Sequence, residues 1–322
     1  MATLHSIQIS PPLLNSSCAW SSNLRDLQEL YDSPFTGAIT TRTATIAGFN
    51  QDESHTVVFS NSSLSALNSY GYSPHPLSEY LGWVKQILQG STSDKPAIIS
   101  ITSPTADGLE SMVSSIQELR RELGDLERTP SRIAIELNTS CPNIRHASPS
   151  GYSFVHLLPL LKTLSTAFEA DQTLTIGLKL PPYVYREQFV DALQVLSGIM
   201  VSSRSPISFF TCTNTLGSSL LFPEQVVAAQ SADSQFAVPS ATGGLSGESV
   251  HALALGNVYT FTQLLRGPEA RFPSLSEIKI IGVGGVTSKE AMERMRKAGA
   301  GAVACATFYG KEGVRAFELL SS

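Results

Sequence analysis

The sequence predicts a (β/α)8 TIM barrel with inserted loops over its C-terminal face. Three observations lead there. Seven short strand-like segments and a weaker eighth recur along 322 residues, helix-like segments follow most of them, and ligand-suited polar residues cluster just after the strands. Alternating strand and helix argues for a parallel sheet with crossover helices. Polar ends contributed by many strands, rather than by one switch point, favour a closed barrel over an open sheet.

The weak strand segment is 12–16; the others are 37–43, 96–102, 132–139, 174–180, 207–213, 278–283 and 301–307. The later ones are rich in Ile, Val, Phe and Ala without strict alternation, as expected of strands buried on both faces. Helical patterns cover 109–123, 152–168, 186–196, 249–265 and 288–298. The polar strand ends are Arg42, the run from Asn138 to Asn143, Lys179, Asn214 and Gly284-Gly285. No repeat, low-complexity tract or linker divides the chain, so one domain over 1–322 is expected. Residues 45–78 read as a polar, turn-rich insertion after the second strand and 223–247 as a second long connection. Loops of that length in a compact domain are usually functional or mobile.

Composition narrows the function classes. An apolar content of 42% fills one large core, and a net charge of −5 with 22 basic residues and no basic cluster argues against nucleic acid as a partner. Residues 1–8 lack the basic start and apolar core of a secretory signal. No run approaches the roughly 20 apolar residues of a membrane span. Four scattered cysteines (Cys18, Cys141, Cys212, Cys305) match neither a disulfide framework nor a zinc spacing, which suits a reducing compartment. Six histidines form no cluster and no acidic pair has ligand spacing, so no metal is expected.

The densest chemistry lies in Asn138-Thr139-Ser140-Cys141-Pro142-Asn143, where an apolar strand runs out into a polar turn. Carboxamides both donate and accept, so a pair of them can read the amide edge of a flat ring. Between them Cys141 is open to three roles: nucleophile, metal ligand or proton-transfer base. A lone cysteine is more often a small buried residue; the strand-end setting and Pro142, which stiffens the backbone beside it, favour a site. Cys305 reads as core.

Lys179 ends the strand Leu174-Thr175-Ile176-Gly177-Leu178-Lys179. A lysine there either snorkels at the rim or stands as a fixed charge beside an electron-rich cofactor. Gly284-Gly285 closes the seventh strand ahead of a helix opened by Thr287-Ser288, and Ala306-Thr307 closes the eighth. The loops after those two strands are the common phosphate site of barrels. Gly243-Gly244-Leu245-Ser246-Gly247 offers further N–H donors, with an ordinary tight turn as the alternative. Asn68-Ser69-Tyr70-Gly71 and Thr213-Asn214-Thr215, each in isolation, read as Asx or Ser/Thr turns.

Taken together, these segments resemble the fumarate-type (class 1A) dihydroorotate dehydrogenases, cytosolic FMN enzymes. The resemblance runs from Leu13-Leu14-Asn15-Ser16-Ser17 to Lys311-Glu312-Gly313, and Lys179-Leu180-Pro181-Pro182-Tyr183 is among its most specific pieces. It implies that Cys141 is the base removing a proton from C5 of dihydroorotate, while hydride from C6 passes to the flavin and fumarate reoxidises it. It implies that Lys179 supports the reduced flavin's charge and that Arg42, Asn68, Asn138, Asn143, Asn214 and Thr215 hold the substrate. Ser17, Arg42, Asn138, Lys179, Gly243, Gly244, Gly247, Gly284, Gly285, Ala306 and Thr307 would then hold FMN. A cytoplasmic homodimer with a small-molecule substrate and a soluble acceptor is implied, with a role in pyrimidine biosynthesis.

Three departures stand out. Arg42 occupies the place of a family lysine, exchanging a compact ammonium for a broad planar fork. The loop Asn68-Ser69-Tyr70-Gly71-Tyr72-Ser73-Pro74 replaces the family's Leu-Pro-Asn after its glycine, which is expected to set Tyr72 and Pro74 against the substrate pocket. Ala306 stands where a glycine usually precedes the phosphate-binding threonine, adding a methyl at a backbone donor site. The alternatives are a paralogue with the same flavin and base but another dihydropyrimidine or enone substrate, and a flavin-binding protein without catalysis.

Overall fold

The computed structural model describes residues 1–141, 143, 150–227, 235–268 and 270–322. Pro142 lies outside the described residues, as does part of the 223–247 connection. In chain order the elements begin with β1 (Ala2–Leu4), β2 (Ile7–Ile9), β3 (Leu13–Asn15), α1 (Leu24–Asp32), β4 (Ile39–Thr40), β5 (Val57–Phe59), β6 (Ser65–Asn68), α2 (Leu77–Gln89) and β7 (Ala97–Ile101). They continue with α3 (Ala106–Glu122), β8 (Ile133–Asn138), α4 (Phe154–Ala170), β9 (Thr175–Leu180), α5 (Arg186–Ser197), β10 (Phe209–Cys212), β11 (Leu216–Leu220) and β12 (Thr242–Gly247). The last are α6 (His251–Arg266), β13 (Lys279–Val283), α7 (Lys289–Ala298), β14 (Ala302–Cys305), α8 (Thr307–Glu312) and α9 (Arg315–Ser321).

An eight-stranded parallel sheet runs in the order β3-β14-β13-β10-β9-β8-β7-β4. Its two ends meet through a parallel bridge between Leu14 and Ala38. There the side chain of Asn15 completes the ladder, donating to the Thr40 carbonyl at 2.6 Å and accepting from the Thr40 N–H at 2.8 Å. All eight expected strands are present, each trimmed at its ends, and they close into the (β/α)8 barrel.

Alternate residues of the strands face opposite ways. Ala134 and Phe209 point into the barrel with Leu14, Ile98, Ile281 and Ala302. Ile133, Ile135, Leu137, Ile176 and Leu178 point outward into the larger core under the helices. A strand buried on both faces has no polar phase, which is why these segments read as continuous apolar runs. The β1–β2 hairpin was not expected. Its Leu4, Ile7 and Ile9 pack into the barrel's inner cluster, and Ser6 bonds the Thr173 carbonyl and Thr175 hydroxyl, so it stoppers the N-terminal end.

Helices α1, α3 and α7 start where a side chain satisfies a free N–H group. Asn23 accepts from Asp26 N at 2.9 Å, Thr105 from Gly108 N and Ser288 from Ala291 N at 3.2 Å each. The five expected helices all form, and α1, α2, α8 and α9 add to them.

The two long connections are not simple loops. Strands β11, β12, β6 and β5 form an antiparallel sheet in that order. It draws on both insertions and stands beside the C-terminal mouth of the barrel. β12 reads Thr-Gly-Gly-Leu-Ser-Gly, a composition poor in strand formers, and β5 has three residues, so neither carries a sequence signal. Pairing of β12 with β6, from Gly244 with Asn68 to Gly247 with Ser65, is what makes a strand of it.

Candidate active site

The carboxyl ends of the barrel strands and the antiparallel sheet enclose a cleft of about 940 Å³, its mouth included. Cys141, Lys179, Arg42, Asn68, Asn138, Asn143, Asn214, Thr215, Ser17, Gly247, Gly284, Ala306 and Thr307 all line it. Gly243, Gly244 and Gly285 do not line it but stand directly behind. A Cβ on Gly244 would lie 2.2 Å from Thr215 Oγ1, so the strand must carry glycine to reach that close.

One wall is a set of interlocked amides. Asn138, at the end of β8, donates to Thr43 Oγ1 at 2.9 Å and accepts from Ser140 N at 3.1 Å and Asn214 Nδ2 at 3.2 Å. Asn143 Nδ2 reaches the carbonyl of Tyr70 at 2.8 Å and both Oδ1 and the carbonyl of Asn68 at 3.1 Å. Asn68 in turn donates to the Gly244 carbonyl at 3.0 Å. The four asparagines come from β6, β8 and the turns after β8 and β10, and no two are local neighbours except Asn138 and Asn143.

The thiol of Cys141 is half-buried and points to the Tyr70 carbonyl, 3.8 Å away. Burial pushes this thiol up to about 11; the backbone N–H of Asn143 and the charges of Lys179 and Arg42 pull it back part of the way. The site therefore raises the thiol rather than lowering it. Tyr72 also lines the cleft, and burial, with Cys141 as neighbour, pushes its phenol well up. Pro74 does not line the cleft; its carbonyl packs against Gly48.

Opposite stand two cations. Lys179 is only 5% exposed and donates to Ser16 Oγ at 3.2 Å and the Ser17 carbonyl at 3.0 Å. Arg42 is 6% exposed; it donates to Gln51 Oε1 at 2.8 Å and the Gly71 carbonyl at 3.4 Å and lies 5.3 Å from the ring centre of Tyr70. Burial pulls the Arg42 guanidinium below its usual value. Among the described residues no carboxylate pairs with either cation. Buried charges are normally paired, so this end of the cleft is built for an anionic ligand. Thr213, also on the lining, has a buried Oγ1 with no hydrogen-bond partner. Its strand-end position after β10 was the available signal in the sequence.

At the far end Gly284 and Gly285 have φ of 127° and 64°, a conformation side chains rarely adopt, which turns the backbone after β13 toward the cleft. Thr307 opens α8 with its hydroxyl 3.0 Å from Ser246 Oγ. Ala306 has φ −128°, so its methyl imposes no left-handed strain. The expected help from the helix after Gly285 does not reach the cleft: neither Thr287 nor Ser288 lines it, and the Ser288 hydroxyl caps its own helix. The helix that begins in the cleft is α8.

The dihydroorotate dehydrogenase family model matches residues 2–321. The chain belongs to this family. A probable dihydroorotate dehydrogenase A (fumarate) of Streptococcus pneumoniae is 27% identical over 311 residues, covering 96% of this chain and 87% of that protein. A dihydroorotate dehydrogenase (fumarate) of Lachancea kluyveri is 26% identical over the same length, with 96% and 87% covered. The crystal structure of DHODH from Eimeria tenella in complex with ferulenol superposes with a TM-score of 0.74 at 14% identity, over 99% of this chain and 82% of that one. At that identity the likeness speaks for the barrel alone. Both of these relatives are named as fumarate-type dihydroorotate dehydrogenases. No helix among the described residues is long and apolar enough to cross a membrane, and none of their His, Cys, Asp and Glu side chains gather into a metal-holding group.

Proposed function

We propose that the chain is an FMN-dependent dihydroorotate dehydrogenase of the fumarate type, oxidising dihydroorotate to orotate with Cys141 as base. The observation that carries the reading is the pair of buried, acid-free cations, Lys179 and Arg42, in the same cleft as the Cys141 thiol. FMN fits the residues present. Thr213 Oγ1 lacks a partner, and Gly284-Gly285 with Thr307 form a backbone cradle at the phosphate end. Ser17, Asn138 and Lys179 would hold the ring side of the cofactor; Gly247, Gly284, Ala306 and Thr307 the phosphate side, backed by Gly243, Gly244 and Gly285. When bound, FMN supplies the hydride acceptor.

The chain's own residues do the rest. Asn68, Asn138, Asn143 and Asn214, with Thr215, offer fixed donors and acceptors to a pyrimidine edge, and Arg42 offers a guanidinium to its carboxylate. The Cys141 sulfur, as thiolate, takes the proton from C5 and later releases it to solvent. Lys179 stabilises negative charge that develops next to it, in a pocket where water is largely excluded. A soluble acceptor such as fumarate, a homodimeric cytoplasmic enzyme and a single FMN-binding domain over 1–322 complete the reading, by resemblance.

Extraction of the purified protein should give FMN, and turnover should require dihydroorotate together with fumarate. Protein that carries no flavin, or flavin protein with no such turnover, refutes the assignment. A second reading has one observation in its favour: Tyr72 lines the cleft beside Cys141, narrowing it differently from a leucine. It keeps the flavin and base and changes the ring or enone oxidised, and a substrate screen separates the two.

A further inference from the structure

We infer that Glu136 is a positioning residue: through a relay of hydroxyls it orients Thr43, which holds Asn138 in place and sets the direction of the Ser17 hydroxyl at the ligand cleft. The inference rests on the flavin-and-orotate reading of that cleft.

Glu136 faces into the barrel two residues before Asn138 on β8 and is 2% exposed. No cation pairs with it among the described residues. Its two oxygens meet two hydroxyls, Ser100 Oγ at 3.0 Å and Thr211 Oγ1 at 2.6 Å. A carboxylate only accepts, so both hydroxyl protons point to it.

That choice propagates. Ser100 has given away its only proton, so at 3.0 Å it accepts from Thr43 Oγ1. With the Thr43 proton committed, its oxygen accepts from Asn138 Nδ2 at 2.9 Å and from Ser17 Oγ at 3.1 Å. Asn138 is thus held at its nitrogen by Thr43, while the backbone N–H of Ser140 holds its oxygen from the other side. The Ser17 hydroxyl, donating to Thr43, turns lone pairs to the cleft, and the second Nδ2 hydrogen of Asn138 is left there beside them. Glu136 touches no ligand; it acts through Ser100 and Thr43 alone.

Ser100→Ala cuts the relay in its middle, and Glu136→Leu removes both acceptors at its end. Each should weaken orotate about tenfold, read as the shift of the flavin spectrum on titration, with FMN retained; the double variant should be no weaker than the worse single one, because both act along one path. Thermal melting, recorded in parallel, separates this from plain loss of stability. If Glu136→Leu fails to fold, Ser100→Ala decides alone by its orotate affinity. Folded variants that bind orotate within about twofold of the parent, or effects that multiply in the double variant, overturn the relay. A parent protein without flavin, or one whose spectrum ignores orotate, instead overturns the reading beneath it and the relay with it.

Discussion

The carbonyl oxygen of Tyr70 takes the Asn143 amide at 2.8 Å and faces the Cys141 thiol at 3.8 Å, so the loop after β6 and the turn after β8 meet at one acceptor. This joins the proposed base to the amides proposed to hold the ring it acts on.

The pH dependence follows from that setting. Burial holds the free thiol up to about 11, so its thiolate fraction grows about tenfold per pH unit across the neutral and mildly alkaline range. kcat/KM for dihydroorotate should climb throughout that range, and a profile flat from neutral pH to about 9 counts against Cys141 as the base in the free enzyme. Stability runs the other way. The folded state keeps a proton that the unfolded chain loses from about 8.5 upward, so the parent should lose stability relative to Cys141→Ala as pH rises toward 11. Melting curves of the two proteins across that window check the sign. Cys141→Ser, a weaker acid, should retain slow turnover shifted to still higher pH.

Lys179 supplies charge rather than packing. Lys179→Ala removes a buried cation bonded to Ser16 and Ser17. Flavin reduction by dihydroorotate in rapid mixing should slow by about 10²–10³-fold while FMN stays bound, the size expected for one electrostatic stabiliser. A change of less than about threefold would leave Lys179 a rim residue after all.

Arg42 does two things at once, holding Gln51 and the Gly71 carbonyl while facing the cleft. Arg42→Ala should raise KM for dihydroorotate at least about tenfold through loss of a charged contact. Arg42→Lys keeps the charge and loses the fork, so its KM should fall between the two. Steady-state kinetics on the three proteins give the order; a lysine variant better than the parent on dihydroorotate points to a pocket tuned to another substrate.

Gly244 tests the close approach of β12 to the substrate wall. A Cβ there would sit 2.2 Å from Thr215 Oγ1 and 3.4 Å from Asn68 Nδ2. Gly244→Ala should destabilise the fold by about 1–3 kcal/mol, as overpacking does, and raise KM more than it lowers kcat. Denaturant unfolding and steady-state kinetics read the two effects separately.

The barrel was legible in the sequence because strands buried on both faces announce themselves as apolar runs, from 96–102 to 301–307. The site was legible because its residues sit at the ends of those runs, as Asn138, Lys179 and Asn214 do. What could not be read is whatever owes its form to tertiary pairing. β12 is a strand only because β6 lies beside it, and the β1–β2 hairpin is too short to show a period. The helix after Gly285 starts outside the cleft, with Ser288 capping Ala291 N, whereas α8 begins inside it. Glu136 stands two residues ahead of the densest motif, yet its relay runs through Ser100 on β7 and Thr43 after β4, and Thr213 shows its unpaired hydroxyl only once the barrel has closed.

The most direct measurement is an anaerobic half-reaction on purified, flavin-bearing protein and its Cys141→Ala variant, each mixed with dihydroorotate and without any acceptor. The parent's flavin should bleach and release orotate, and the variant's flavin should stay oxidised although bound. A parent flavin that keeps its oxidised spectrum, or a variant that bleaches as fast as the parent, contradicts the account.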